Sequence, residues 1–72
     1  MPLTMLDKGI EASIRRYELK DNTRKFLEGL GILPGTTVSV LSELSGNLIL
    51  CVKGTRIAIS KGIAQKLQVD II

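Results

Sequence analysis

The sequence predicts a mainly β domain: a small five-stranded barrel with two short helices, one after the first strand and one before the last. Three observations lead there. Apolar and polar residues alternate over short stretches, the period of a half-buried strand. Glycine-containing turns separate those stretches at close intervals. The chain has 72 residues, 44% of them hydrophobic, yet Tyr17 and Phe26 are its only aromatics, so the core must be built from Leu, Ile and Val. A single open layer this small would leave one apolar face in water, and curling the sheet shut buries it. Residues 1–72 make one domain, with no repeat, linker or low-complexity tract to divide them.

The first strand is expected within Gly9 to Glu18, where Ile10, Ala12 and Ile14 take alternate positions. Arg15-Arg16 interrupts its end, which favours a bulge or curl there. Asp21-Asn22 offers helix-capping side chains. The helix then runs Thr23 to Leu30, with Phe26, Leu27 and Leu30 on one face. Gly31 stands where a left-handed residue ends a helix, and Ile32 just beyond can fold back onto it. Leu33-Pro34-Gly35 reads as a type II turn, because proline presets φ and glycine accepts the positive φ at the next position.

Thr36 to Leu44 is β-prone, with Val38 and Val40 facing one way and Ser39 the other. Ser45-Gly46-Asn47 reverses the chain, Leu48 to Lys53 forms the next strand, and Gly54-Thr55 is a two-residue hairpin leading to Arg56–Ile59. Ser60 caps a second short helix whose apolar face is Ile63, Ala64 and Leu67, and Gly62 weakens it by up to about 1 kcal/mol relative to alanine. Val69 to Ile72 closes the chain as the last strand. Five short strands in this order close naturally into an SH3-like barrel, with the helices plugging its ends.

Residue chemistry narrows the function. The chain has no histidine, so the commonest metal ligand and general base is missing. Cys51 is the lone cysteine, cannot form an internal disulfide, and reads as a small core hydrophobe. The carboxylates Asp7, Glu11, Glu18, Asp21, Glu28, Glu43 and Asp70 are dispersed over different elements. No catalytic residue, metal site or cofactor is expected. Gly31 and Gly35 are not followed by Gly-Lys-Ser/Thr, so they are backbone devices and not a phosphate cradle.

The ten basic residues behind the net charge of +3 are scattered among seven acidic ones, and stacking aromatics are nearly absent, so nucleic acid is not an expected partner. The apolar run Leu48 to Val52 falls far short of the roughly 20 residues of a spanning helix. Nor does the start of the chain carry a basic segment with a small-residue cleavage site. A cytoplasmic protein without direct membrane insertion is the expectation. The pattern carries no signal for or against self-association.

The stretch Arg24 to Gly35, with its Leu30-Gly31-Ile32-Leu33-Pro34-Gly35 core, resembles the signature of the FeoA family, ferrous iron transport protein A. The likeness continues through Gly46-Asn47, the hairpin Leu48 to Ser60, Ala64 and Leu67-Gln68-Val69. Leu48 stands where the family often has proline, and Ile63 where it often has an acidic residue. The resemblance implies an SH3-like fold and a non-enzymatic role beside FeoB, a membrane ferrous-iron transporter with a cytoplasmic GTPase domain. A related barrel forms the C-terminal domain of metal-dependent repressors, so that role and a small nucleic-acid-binding barrel are the alternatives.

Candidate contact residues follow. Leu33 lies on the Pro34-Gly35 turn, where side chains point outward and a preorganised apolar group loses little entropy on docking. The competing reading folds it onto the barrel end. If Leu33 is exposed, Leu44 or Leu48 is expected nearby to extend the patch. Arg24 is either an arginine finger toward a GTPase or a solvated helix residue near Asp21 and Glu28.

Overall fold

The computed structural model describes residues 1–72. A 3-10 turn at Leu3–Met5 precedes β1 (Glu11–Ile14) and α1 (Asp21–Gly29). A meander follows, made of β2 (Thr37–Leu44), β3 (Asn47–Val52) and β4 (Thr55–Ser60). After it come α2 (Lys61–Ala64) and β5 (Val69–Ile71). All pairings are antiparallel, and the sheet order is β4-β3-β2-β1-β5. The coiled sheet is the five-stranded, SH3-like architecture expected. Its two edges, β4 and β5, are not bonded to each other, and α2 links them across the seam.

The core is entirely apolar. Ala12 and Ile14 of β1, Val38 and Val40 of β2, and Leu48, Leu50 and Val52 of β3 point inward, as the two-residue period requires. Ile59 of β4 and Val69 of β5 join them, and Leu3, Leu6, Leu27, Ile32, Ala64 and Leu67 complete the cluster from the helices and connecting segments. No buried polar side chain lacks a partner.

Several local expectations hold in detail. Gly31 N donates to Glu28 O and Ile32 N to Leu27 O, the paired bonds of a Schellman cap, with Gly31 at φ +82°. Ile32 and Leu27 are both fully buried, so the residue after the cap does fold back onto the helix. Ser60 Oγ accepts from Ile63 N at 3.2 Å and caps α2.

Other details differ. β1 begins only at Glu11, because Gly9 takes a positive φ and Ile10 N bonds back to Asp7 O, leaving Ile10 exposed. Arg15-Arg16 is not a bulge; Arg15 N donates to Gln68 O and continues the pairing toward β5. The bulge lies in β2, where Val40 pairs with Leu50 and Ser42 with Ile49, so Leu41 has no partner. Asp21 is the first helical residue and not the cap. It accepts a bond from Arg24 Nη2 at 2.9 Å and places a carboxylate at the positive end of the helix. Phe26 is exposed because a nine-residue helix turns only a narrow stripe inward, centred on Leu27. The second hairpin turns on Lys53-Gly54, both at positive φ, with Val52 paired to Thr55. A two-residue turn of this hand needs positive φ at both centres, so it falls one residue earlier than expected.

Arg15 ties β1's end to β5: its Nε donates to both Asp70 oxygens at 2.8 Å. That hydrogen bond, chiefly, holds the Asp70 carboxyl below its ordinary 3.8. A carboxyl lowered in the folded state stabilises the fold above its ordinary value, and loses that contribution as pH falls through the lowered one. Urea melts across that acid window should therefore weaken more steeply for the native chain than for Asp70→Asn. Parallel curves would mean the pair contributes nothing, as for many exposed pairs.

Candidate functional site

The turn between α1 and β2 is fixed from both sides. Thr36 N donates to Leu33 O at 3.0 Å with Gly35 at φ +88°, which is the expected type II geometry. Thr36 Oγ1 accepts from Leu33 N at 3.3 Å and donates to Gly31 O at 3.4 Å. Gly35 N donates to Ile14 O at 2.7 Å, pinning the turn to β1. Tyr17 Oη donates to Ile32 O at 2.8 Å, one residue before Leu33. Burial and the nearby Glu28 carboxylate push the Tyr17 phenol up, so it stays a neutral donor. Gly31 and Gly35 thus carry the positive φ of the helix end and of the turn, with Pro34 between Leu33 and Gly35.

The turn forms one wall of an open cleft of about 650 Å³ on the outer face of the sheet. Thr37 and Ser39 of β2 and Cys51 of β3 line its floor, since Ser39 pairs with both Glu11 and Cys51. The Lys53-Gly54 hairpin closes the far side, and Glu11 flanks it on β1. The cleft is shallow, floored by hydroxyls, and bears one carboxylate and one ammonium. Such a surface suits a protein segment better than an enclosed small molecule. No three Cys, Asp or Glu side chains converge where a metal ion could be held.

Of the candidate contact residues, Leu33 lies at the cleft, 39% exposed on its braced turn. Arg24 is half-buried on α1 and is engaged with Asp21. Leu44 is 66% exposed, but at the opposite end of β2, roughly 20 Å away along the strand. Leu48 is a correction. It is 5% exposed, because it shares β3's inward face with Leu50 and Val52, and it cannot extend a surface patch. Leu33, Leu44 and Leu48 therefore do not form one patch.

Cys51 is a second correction: it is half-buried on the outward face, not a core residue. Sequence reasoning missed the cleft floor. The alternation Thr37-Val38-Ser39-Val40 signals that Thr37 and Ser39 face out, but nothing in it says which loops rise beside them.

Comparison with known proteins gives a consistent result. A family model described as FeoA domain matches residues 1–71. A candidate Fe(2+) transport protein A of Methanocaldococcus jannaschii is 29% identical over 69 residues, spanning 96% of this chain and 84% of that one. A crystal structure of an iron uptake regulatory protein, FeoA, superposes with a TM-score of 0.90 at 30% identity, covering all of this chain and 97% of the other. The T. acidophilum IdeR structure gives a TM-score of 0.89 at 26% identity, but this chain spans only 34% of it.

Proposed function

The chain belongs to the FeoA family, and from that premise we propose that it is a cytoplasmic accessory protein of ferrous-iron uptake that docks on the cytoplasmic part of a FeoB-type GTPase transporter. The observation that carries the contact is Leu33, an exposed aliphatic side chain on a turn whose backbone is held by Thr36, Tyr17 and Ile14. Its exposure favours burial against a partner, and its bracing means little entropy is lost on doing so. The cleft beside it supplies hydroxyls and two opposite charges to fix register. Binding one conformation of the transporter better than another would shift that transporter's equilibrium, which is all that regulation requires. Iron is the cargo of the transporter in this reading, and the chain acts by contact, with no chemical step of its own. The Arg24–Asp21 pair is exposed and weakly held, so Arg24 remains free to turn toward a bound GTPase, but Leu33 bears the affinity.

The test is Leu33→Glu titrated against the detergent-solubilised transporter from the same genome. The variant should melt like the native chain and bind at least roughly tenfold more weakly, the scale of one buried aliphatic contact replaced by a charge. Leu44→Glu, at the far end of β2, is the comparison and should bind normally. Native affinity in the Leu33 variant would overturn the assignment of the turn.

A further inference from the structure

The two edges of the sheet are treated differently. At β5 the edge is occupied: Met1 N donates to Val69 O, Val69 N to Met1 O, and Leu3 N to Leu67 O, with Pro2 bridged to Gln68. At β4 nothing is paired beyond β3. The Lys53-Gly54 turn makes Val52 and Thr55 a hydrogen-bonded pair, so bonded pairs recur at Leu50–Ile57 and Leu48–Ile59. The N–H and C=O groups of Arg56 and Ala58 consequently point away from β3, and both residues are exposed. The strand keeps an unbroken register over six pairs, with no proline and no bulge, the usual devices that blunt an edge.

We propose that this edge binds an extended, acidic segment of a partner protein as a sixth antiparallel strand. Backbone groups of Arg56 and Ala58 would supply the ladder, and half-buried Ile57 would take an apolar side chain on the inner face.

Charge selects the occupant. Arg56 lies on the outward face with Lys53 in the adjoining turn, and Glu11 is three strands away, roughly 14 Å. Lys61 at the other end is already held by Glu43. The local excess is positive, and it also opposes a second copy of this chain. An antiparallel register that pairs Arg56 with Arg56 or Ala58 of a second copy sets the two guanidinium groups side by side. This inference shares only Lys53 with the cleft beside the Leu33 turn and does not rest on the transporter reading.

The test uses the isotope-labelled chain and two capped octapeptides, one alternating valine with glutamate and one alternating valine with lysine. The glutamate peptide should shift the Arg56 and Ala58 amides and slow their hydrogen exchange, and the lysine peptide should bind roughly tenfold more weakly or not at all. Ala58→Pro removes an outward N–H without costing a β3 bond and should abolish binding. Arg56→Glu, which leaves the backbone untouched, should reverse the preference between the peptides. Leu33→Glu should bind the glutamate peptide as the native chain does, whatever its effect on the transporter. Equal binding of the two peptides would overturn the proposal, as would shifts confined to other residues. So would protection at Arg56 and Ala58 that grows with protein concentration alone.

Discussion

Leu50→Ala is expected to cost about 3 kcal/mol of stability, within the range of buried leucine truncations. Leu50 is fully buried at the middle of β3, paired with Val40 on one side and Ile57 on the other. Among the aromatics only Tyr17 packs against this core, and its bond to Ile32 O holds it in place. The loss therefore combines the transfer energy of the removed methyl groups with a cavity that neighbouring β-branched residues, stiff at χ1, cannot close. A domain of this length has a total stability of roughly 4–11 kcal/mol, so a large share disappears. The melting temperature should fall by roughly 10–20 °C, with the urea m-value unchanged. Leu44→Ala, on the exposed end of β2, should change stability by less than about 0.5 kcal/mol. Similar effects of the two substitutions would mean that the sheet does not enclose its core as described.

Gly31→Val is expected to cost about 2 kcal/mol, and Gly31→Ala about 1 kcal/mol. A Cβ added at Gly31 meets nothing within 4 Å, so steric overlap with neighbours plays no part. The cost lies in the backbone: φ is +82°, a region where a β-branched side chain is a marked outlier. Relieving it would mean abandoning the bonds from Gly31 N to Glu28 O and from Ile32 N to Leu27 O, and Ile32 would leave the core with them. Asparagine tolerates this conformation and should fall between glycine and alanine. Thermal melts of the series should give the order Gly, Asn, Ala, Val from most to least stable. A valine variant melting with the native chain would show that the cap relaxes without loss. Gly35, at φ +88° with equal space around it, should follow the same order.

Local chemistry made the turn legible. Gly31 after an apolar helix face, Pro34-Gly35 before a β-prone run, and Ser60 ahead of Ile63-Ala64 each satisfy a backbone need that few residues can meet. The structure uses them for those needs. The clean alternation Thr37-Val38-Ser39-Val40 likewise announced which side faces the core. Legibility failed where the residues carried no polarity contrast. Leu48-Ile49-Leu50-Cys51-Val52 is apolar throughout, so its phase is invisible, and both Leu48 and Cys51 were expected on the wrong face. The Leu41 bulge was hidden for the same reason, since Val40-Leu41 shows no break in character.

What the residue order determined by itself was the set of strands and α-helices, their sequence along the chain, the type II turn at Leu33-Pro34-Gly35 and the family. These depend on interactions within a few positions, or on a spacing that any reader of the chain can measure. What only the tertiary structure decided was the phase of β3, the outer-face cleft and the contrast between a covered β5 edge and a bare β4 edge. Each of these depends on which distant strand supplies the partner. A strand's own residues fix that it pleats, but the neighbours across the sheet fix which pleat is inside.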